Sequence, residues 1–515
     1  MSLFALHSLA RNALARAALP RDPRRAALRA CAALLPVALA ACATTPIPDQ
    51  TPPLPPHWRN APAAEAAPAA APDPRGWWRA FADPRLDALV EQALAANLDA
   101  AQARARLRSA RLLHEHAGDP LKPELRARTS NPIDPDASAS FFVMGLDAVW
   151  EMGFFGRGEA LERGARSELD SAAAQLRQAQ VSVAAETARE WIALRGALER
   201  ERLLDGIRAA RAEQLRVQQV RADLRLAARD SVEAPRAALA QAEAALGEPR
   251  QRAVAAEQAL AVLLGRAEPD PAWRGGGARP ALAAAAIERA PADLLRTRPD
   301  IAQAQAAVLR AAAELGLARA DQYPRLAFGT SIQWSVNVTA HRRTETEAIG
   351  VSGPIIDVPL FDWGLRRARA HAKGAELEAA ALAYRKTVLA AVAETESALS
   401  ALEQQRLRED ADRRAFDALA RSARMQQVRR GLGLAGDAEL AASRIERDQA
   451  ALELDAARDD RAQAYIALYK ALGAAPDERL GRIEDAADSD AAEAGGHAAA
   501  QSIAQPAARA AGARR

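Results

Sequence analysis

The stretch Arg325 to Val338, RLAFGTSIQWSVNV, alternates from end to end. Leu326, Phe328, Thr330, Ile332, Trp334, Val336 and Val338 fall on one face; Ala327, Gly329, Ser331, Gln333, Ser335 and Asn337 fall on the other. A period of two sustained over this length marks a β-strand. An apolar face opposite a small polar face suits a strand with lipid on one side and water on the other. Phe142, Met144, Leu146, Ala148, Trp150 and Met152 repeat the pattern against Gly145, Asp147 and Glu151. Trp334 and Trp150 are placed to anchor at membrane–water interfaces. Partner strands are expected at 124–130, with Arg126 and Arg128 inward, and at 348–360, where Pro354 suggests a bulge. Two half-buried hairpins in a soluble sheet are the alternative reading. Each strand has about ten residues, the length a tilted membrane strand needs. Four strands cannot close a barrel, and lipid does not tolerate open edges, so a membrane role requires several chains to share one barrel. Three chains of four strands would supply twelve.

Working outward, the chain repeats itself. Val220-Arg221, Leu224, Leu226-Ala227 and Leu264-Gly265 recur 208 positions later as Val428-Arg429, Leu432, Leu434-Ala435 and Leu472-Gly473. Upstream, Asp99, Ala101-Gln102-Ala103, Pro123 and Leu125 recur 201 positions later as Asp300, Ala302-Gln303-Ala304, Pro324 and Leu326. The change of offset places a seven-residue insertion between Leu326 and Gly364, in the second strand pair. A repeat this long implies one structural unit used twice.

Each copy also carries a long helical hairpin. Between Gly374 and Gly431 there is neither Gly nor Pro; Gly431, Gly433 and Gly436 cluster, and no further Gly occurs before Gly473. Two breaker-free segments around a Gly-rich turn predict antiparallel helices. Val388, Val392, Thr395, Leu399 and Leu402 form a coiled-coil seam, spaced four and three. The first copy is expected to run from about Glu159 to Leu224, turn by Asp230 and return through Leu264, with Pro249 kinking the return. The helices alone are equally compatible with a coiled-coil scaffold.

The ends are not fold. Arg11, Arg16, Arg21, Arg24, Arg25 and Arg29 precede the apolar run Ala32 to Ala41, closed by Leu39-Ala40-Ala41-Cys42. That is the order of a signal peptide at 1–41 followed by a lipidation site at Cys42; an ordinary signal peptide with an incidental cysteine is the alternative. Its six arginines and one aspartate carry a net +5, so the formal +3 of the whole chain falls to about −2 on cleavage. The basic isoelectric point is therefore no sign of nucleic acid binding. Residues 42–75 are rich in Pro and Ala and read as an extended spacer; 478–515 reads as a disordered tail. Nothing after the signal segment is long and apolar enough to cross a bilayer as a helix.

Catalytic readings find no support. Seven histidines show no metal-ligand spacing, and there is no phosphate loop or nucleophile motif. His114 and His116 are a tempting pair, but i and i+2 on a helix point apart. With only Cys42 left after cleavage, no intrachain disulfide and no Cys/His metal cluster can form. No metal and no cofactor are expected. Gly275-Gly276-Gly277, flanked by Trp273 and Pro280, reads as a linker within 271–295 between repeats at 76–270 and 296–477.

The lipidation motif, Phe154-Phe155-Gly156-Arg157, Pro359-Leu360-Phe361-Asp362-Trp363-Gly364, the Gly433-Leu434-Ala435-Gly436 turn and Arg296-Thr297-Arg298-Pro299-Asp300-Ile301 together resemble the outer-membrane efflux protein family. The chain is most similar to its TolC-related lipoprotein branch, the NodT or OprM type. The resemblance implies a mainly α fold with a small transmembrane β part, and a homotrimer with one twelve-stranded barrel in the outer membrane. Below it would hang an α-helical periplasmic tunnel. It further implies docking on a periplasmic adaptor and an inner-membrane pump of the resistance-nodulation-division class, with this protein as a passive exit duct for drugs or other small molecules. By the same resemblance, Leu224, Leu226, Ala227, Gly431, Leu432, Gly433, Leu434 and Gly436 would form adaptor-contact tips. Arg225 stands where the family usually has glycine. Glu439 matches the first of two acidic positions at the tunnel's periplasmic constriction, whereas Ala442 occupies the second, and Arg430 sits where some members carry a gate tyrosine. Three copies of Glu439 would make a negative ring; the alternative is that Glu439 caps its helix. Phe142, Trp150, Phe328, Ile332, Trp334 and Val336 would face lipid. The competing function is a lipid-anchored periplasmic coiled-coil scaffold without a pore.

Overall fold

The computed structural model describes residues 45–47, 52–60, 74–130, 141–276, 279–282, 297–337 and 347–475. The signal segment, Cys42 and the tail from 478 lie outside them. The described helices are α1 (Pro84–Ala96), α2 (Leu98–Glu115), α3 (Arg157–Asp223), α4 (Glu233–Ala245), α5 (Gly247–Leu263), α6 (Pro299–Ala320), α7 (Leu365–Gly431) and α8 (Asp437–Ala471). The strands are β1 (Glu124–Ser130), β2 (Phe141–Met152), β3 (Arg325–Asn337) and β4 (Glu347–Asp357). No described helix is long and apolar enough to cross a membrane.

The repeat read in sequence is reproduced in the backbone. α3 and α7 are each 67 residues long, and both ends of α7 lie 208 positions after those of α3. At ~1.5 Å per residue each reaches ~100 Å. Apart from Ala82, the described residues with positive φ obey the same offset: Phe155 and Trp363, Gly156 and Gly364, Arg225 and Gly433, Gly265 and Gly473. The last two pairs close helices in the same way. The amides of Leu226, Leu434, Arg266 and Ala474 reach back to the carbonyls of Arg221, Arg429, Ala261 and Tyr469 at 2.8–3.1 Å. This is the six-to-one bond that a left-handed residue after a helix permits.

The two copies differ where prolines differ. The return of the second hairpin, α8, is one helix of 35 residues. The first is split at Leu246 into α4 and α5. Pro249 cannot donate to the carbonyl of Ala245, four residues back, so the expected kink becomes a break. Two expectations need correcting. α7 starts at Leu365 and runs through Gly374, because Asp362 supplies the start: it accepts from the amides of Gly364 (3.1 Å) and Arg366 (2.9 Å). These bonds hold its carboxyl below the usual range. β4 ends at Asp357 rather than Leu360, and Pro354 causes no bulge; it stays in register opposite Phe328. The missing N–H is tolerated because β4 is an outer strand of this sheet.

The chain divides into two compact units. One holds the sheet, together with described residues from 112–167 and 307–381. Its strands run antiparallel in the order β1-β2-β3-β4. Here Gly316 meets Ala160 so closely that an added Cβ would lie 2.9 Å from that residue's Cβ. Arg157 ties the sheet's end to the helices, bonding Glu151 and Asp321, each at 3.0 Å.

The other unit is helical and takes its described residues from 50–111, 168–306 and 382–475. Its core gathers Trp77, Trp78 and Phe81 against Tyr465, Tyr469 and Trp191. Trp191 Nε1 donates to Asp83, which also caps α1. Trp273, expected in a linker, is buried in this core. Part of the Pro-rich segment is not a free spacer either. Trp58 is buried with Ile301, Val388, Leu399 and Leu468, and the amides of Arg59 and Asn60 donate to Glu396 at 2.7 and 3.0 Å. Burying an indole of this size is worth several kcal/mol, roughly 1.5–3, which exceeds what an open segment gains from freedom at one residue.

Candidate functional site: the sheet and the hairpin tips

The register of the sheet brings the apolar positions of both repeats onto one face. Phe142 stands opposite Val336, Met144 opposite Trp334, Leu146 opposite Ile332 and Trp150 opposite Phe328. β1 adds Leu125, Ala127 and Thr129 to that face, and β4 adds Pro354 and Ile356. Phe142, Leu146, Trp150, Phe328 and Ile332 are all exposed. Trp150 and Trp334 lie six positions apart along the β2–β3 ladder. That is ~20 Å of strand, so the two indoles mark opposite ends of the apolar band.

The other face is polar and internally bonded. Ser331 donates to Asp147 at 2.6 Å, Gln333 donates to Ser331 at 3.1 Å, and Arg128 approaches Asp147 at 3.5 Å. The intrarepeat hairpins match in register: Leu125 opposite Ala148 becomes Leu326 opposite Ile356. Both offsets of the repeat are preserved there, so the seven extra residues belong to the far end of the second hairpin.

The tips are two near copies. Leu224 and Leu226 are 65% and 68% exposed, and Leu432 and Leu434 are 68% and 65% exposed. Ala227 is half-buried, while Gly431, Gly433 and Gly436 are open to solvent. Both turns pass through a left-handed residue, Arg225 at φ 59° and Gly433 at φ 73°. That geometry holds each leucine pair outward on a short rigid turn.

The gate candidates are separately engaged. Glu439 accepts from the Gly436 amide at 3.2 Å, the one half of a capping box that a glycine N-cap allows at the start of α8. Arg430 donates to Asp437 at 2.5 Å and holds that carboxyl below its usual range. In the first copy Ser231 replaces Glu439 and accepts from Gln218 at 2.7 Å. Among the described residues no group could hold a metal ion. α2 ends at Glu115, and His116 beyond it bonds Asp119 at 2.5 Å instead of joining His114.

One feature had no usable signal beyond its motif. Arg298 bonds Asp300 (3.0 and 2.7 Å), Glu394 (2.7 Å) and the carbonyl of Ala471 at the end of α8 (2.5 Å). Burial alone would lower the Arg298 pKa, but the two carboxylates prevail and raise it. The Arg-Pro-Asp signature thus fastens a helix end.

An apolar-banded sheet with two outer strands, and paired helical hairpins with matching tips, are together the elements of a channel-type outer-membrane architecture. The family model for outer membrane efflux proteins matches residues 89–266 and 290–474. The pyoverdine export outer membrane protein OpmQ of Pseudomonas aeruginosa is 30% identical over 468 residues, covering 84% of this chain and 94% of that protein. Nodulation protein T of Rhizobium leguminosarum is 27% identical over 409 residues, covering 76% and 82%. The solved structure of the outer-membrane channel OprN superposes with a TM-score of 0.70 at 27% identity, covering 83% of this chain and 99% of that one. The chain belongs to the outer membrane efflux protein family. It is an outer-membrane efflux channel, and the poreless scaffold reading is set aside.

Proposed function

We propose that three copies pair their sheets edge to edge into one twelve-stranded barrel, anchored by lipid on Cys42, and that the helical hairpins continue it as a periplasmic tunnel. The observation that carries this reading is the sheet itself: four strands, one apolar face and two outer strands, β1 and β4. In hydrocarbon each unpaired edge amide costs several kcal/mol, roughly 2–7, so such a sheet enters lipid only when its edges find partners. The protein then serves as a passive conduit without catalysis. An inner-membrane pump of the resistance-nodulation-division class supplies energy, and a periplasmic adaptor grips the exposed leucine pairs at the tips. OpmQ is named for pyoverdine export, which supports a small-molecule cargo here. Glu439, with Arg430 nearby in sequence, forms a negative ring near the axis and biases passage toward cations.

The experiment joins assembly to docking. Unheated detergent extracts should migrate as a trimer and heated ones as a monomer. Leu432→Asp with Leu434→Asp should abolish export while leaving the trimer intact. A chain that is monomeric in unheated extracts, or full export by the tip variant, would overturn the corresponding part.

A further inference from the structure

The start of α7 departs from its repeat partner both in charge and in exposed apolar surface. At the offset of 208, Gly158, Glu159 and Leu161 of α3 become Arg366, Arg367 and Arg369 of α7. The span 157–163 balances two arginines against two glutamates, whereas 365–371 carries three arginines and no carboxylate. In the first copy the cations are spent: Arg157 on Glu151 and Asp321, Arg163 on Glu159 and the carbonyl of Thr45. In the second, Arg366 donates to the carbonyl of Asp321 at 3.2 Å, but Arg367 and Arg369 are exposed and enter no hydrogen bond or ion pair among the described residues. Arginines at this end of a helix meet the positive pole of its dipole, a placement that only a nearby anion relieves. The backbone amides are not what would bind it, since Asp362 already caps Gly364 and Arg366. Just before the arginines, Leu360, Phe361 and Trp363 are 89%, 75% and 89% exposed, the two rings meeting edge to face at 4.7 Å. The matching positions of the first copy are Met152, Gly153 and Phe155, and Phe155 is half-buried on Tyr323 at 4.9 Å.

We propose that this patch docks on the bilayer leaflet that faces the helices, with the Phe361–Trp363 pair seated among the headgroups and Arg367 and Arg369 holding the phosphates of anionic phospholipid. The patch follows the end of β4 directly, on the side where Trp150 marks the edge of the apolar band, so it continues the lipid-facing surface. Exposed aromatic rings belong at that level of a membrane. Side chains on a helix lean toward its N-terminus, which here directs the arginines back toward the strand and the bilayer. Their apolar stems let the charged heads reach up to the phosphates, whose oxygens suit a guanidinium fork. Cover by a second copy of the chain would leave the arginines unanswered unless that copy brought carboxylates, whereas lipid answers both the rings and the charges. The site occurs once per chain, in the second repeat alone. It rests on the sheet's place in the outer membrane and not on the number of chains that share a barrel.

Lipid retention by the full-length protein tests this. The protein is equilibrated at low salt in bicelles of phosphatidylglycerol and phosphatidylcholine, re-isolated, and its bound lipids are counted by mass spectrometry. The unsubstituted protein should retain phosphatidylglycerol in preference, and the preference should fade as salt rises. An arginine near an anionic surface raises affinity about fivefold, so Arg367→Gln with Arg369→Gln should lower phosphatidylglycerol retention about 25-fold. Arg367→Lys with Arg369→Lys should keep most of it. The glutamine pair should melt no lower than the unsubstituted protein, since it relieves the helix end. Glu159→Gln, at the matching place in the first repeat, should change nothing. Phe361→Ala with Trp363→Ala should lower retention of both lipids alike. No preference for phosphatidylglycerol in the unsubstituted protein, or equal retention by the glutamine pair, overturns the proposal. So does an alanine pair that keeps its lipid while its chains separate at a lower temperature, which would give the rings to a second copy. The trimer in unheated extracts is read separately, so loss of this lipid site leaves the channel standing.

Discussion

Arg298 donates from Nη1 to the carbonyl oxygen of Ala471 at 2.5 Å, so the opening of the second repeat holds the end of its last helix. Asn97, 201 positions earlier, does the same for the first repeat, donating to Leu263 at 3.1 Å. Its Oδ1 meanwhile accepts from the amides of Asp99 and Ala100 at 2.9 and 3.1 Å, which starts α2. Each residue joins the start of one helix to the end of another. Gly473 fits beneath Arg298 only without a side chain, since a Cβ would lie 2.7 Å from the Arg298 Cα.

Arg298→Ala removes the guanidinium that bridges Asp300, Glu394 and the Ala471 carbonyl. We expect a loss of about 2–4 kcal/mol, read as a lower midpoint for thermal loss of helical ellipticity. Arg298→Lys should recover little of it, because one ammonium cannot reproduce a planar fork bridging two carboxylates and a carbonyl. Full recovery by lysine would contradict the bridging role.

Glu409 is one of the carboxylates that contribute to the acid limb of stability. Burial would raise its pKa, but bonds to Arg461 and Arg413 prevail and hold it below its ordinary value of 4.5. A depressed carboxylate stabilises the fold fully above its unfolded pKa, and that contribution disappears as pH falls through the folded value. Asp459 has the opposite sign: burial raises its pKa despite Arg279, so it costs stability as pH rises through its folded value. Glu409→Gln should lower stability at pH 7 by about 1–3 kcal/mol and flatten the decline below pH 4.5. Melting followed from pH 7 to pH 3 checks both effects, and an unchanged acid limb would refute the assignment.

How much of this was legible depended on the range of the interaction. The alternation of Arg325 to Asn337 and the Gly-marked turns reported local geometry, and β3 and the tips follow them. The offsets of 201 and 208 carried long-range information, because duplicated segments must pack alike. What stayed hidden was contact between distant, unlike segments. Trp58 against Leu468, Trp77 against Tyr469 (5.7 Å, near parallel) and Trp191 against Asp83 have no periodicity to announce them. The start of α7 is set by the Asp362 cap, a signal that the spacing of glycines does not carry.

Arg225 pays a local cost that its twin Gly433 avoids. A left-handed residue bearing a side chain costs ~1–2 kcal/mol, offset in part by the freedom glycine has when unfolded. Arg225→Gly should therefore stabilise by about 0.5–1 kcal/mol. Gly433→Ala should destabilise by about 1 kcal/mol although no atom lies within 4 Å of the new Cβ. Equal effects of the two substitutions would refute the backbone explanation.

Glu439 has a cap role that is visible and a ring role that is proposed, and the two separate by substitution. Glu439→Gln keeps an acceptor for the Gly436 amide and removes the charge. Glu439→Ala removes both and should also cost about 1 kcal/mol of stability. A negative ring predicts that both variants lose cation preference in bilayer conductance. A change in the alanine variant alone would leave only the cap.

The account stands on the two faces of β3 meeting different solvents. Spin labels at Ile332→Cys and Gln333→Cys, adjacent residues on opposite faces, measure this directly in membranes. We predict that the label at 332 is quenched by oxygen dissolved in lipid and that at 333 by a water-soluble nickel chelate, with the alternation continuing along the strand. Equal access of the chelate to both positions in the membrane-bound trimer would contradict a barrel strand and with it the channel.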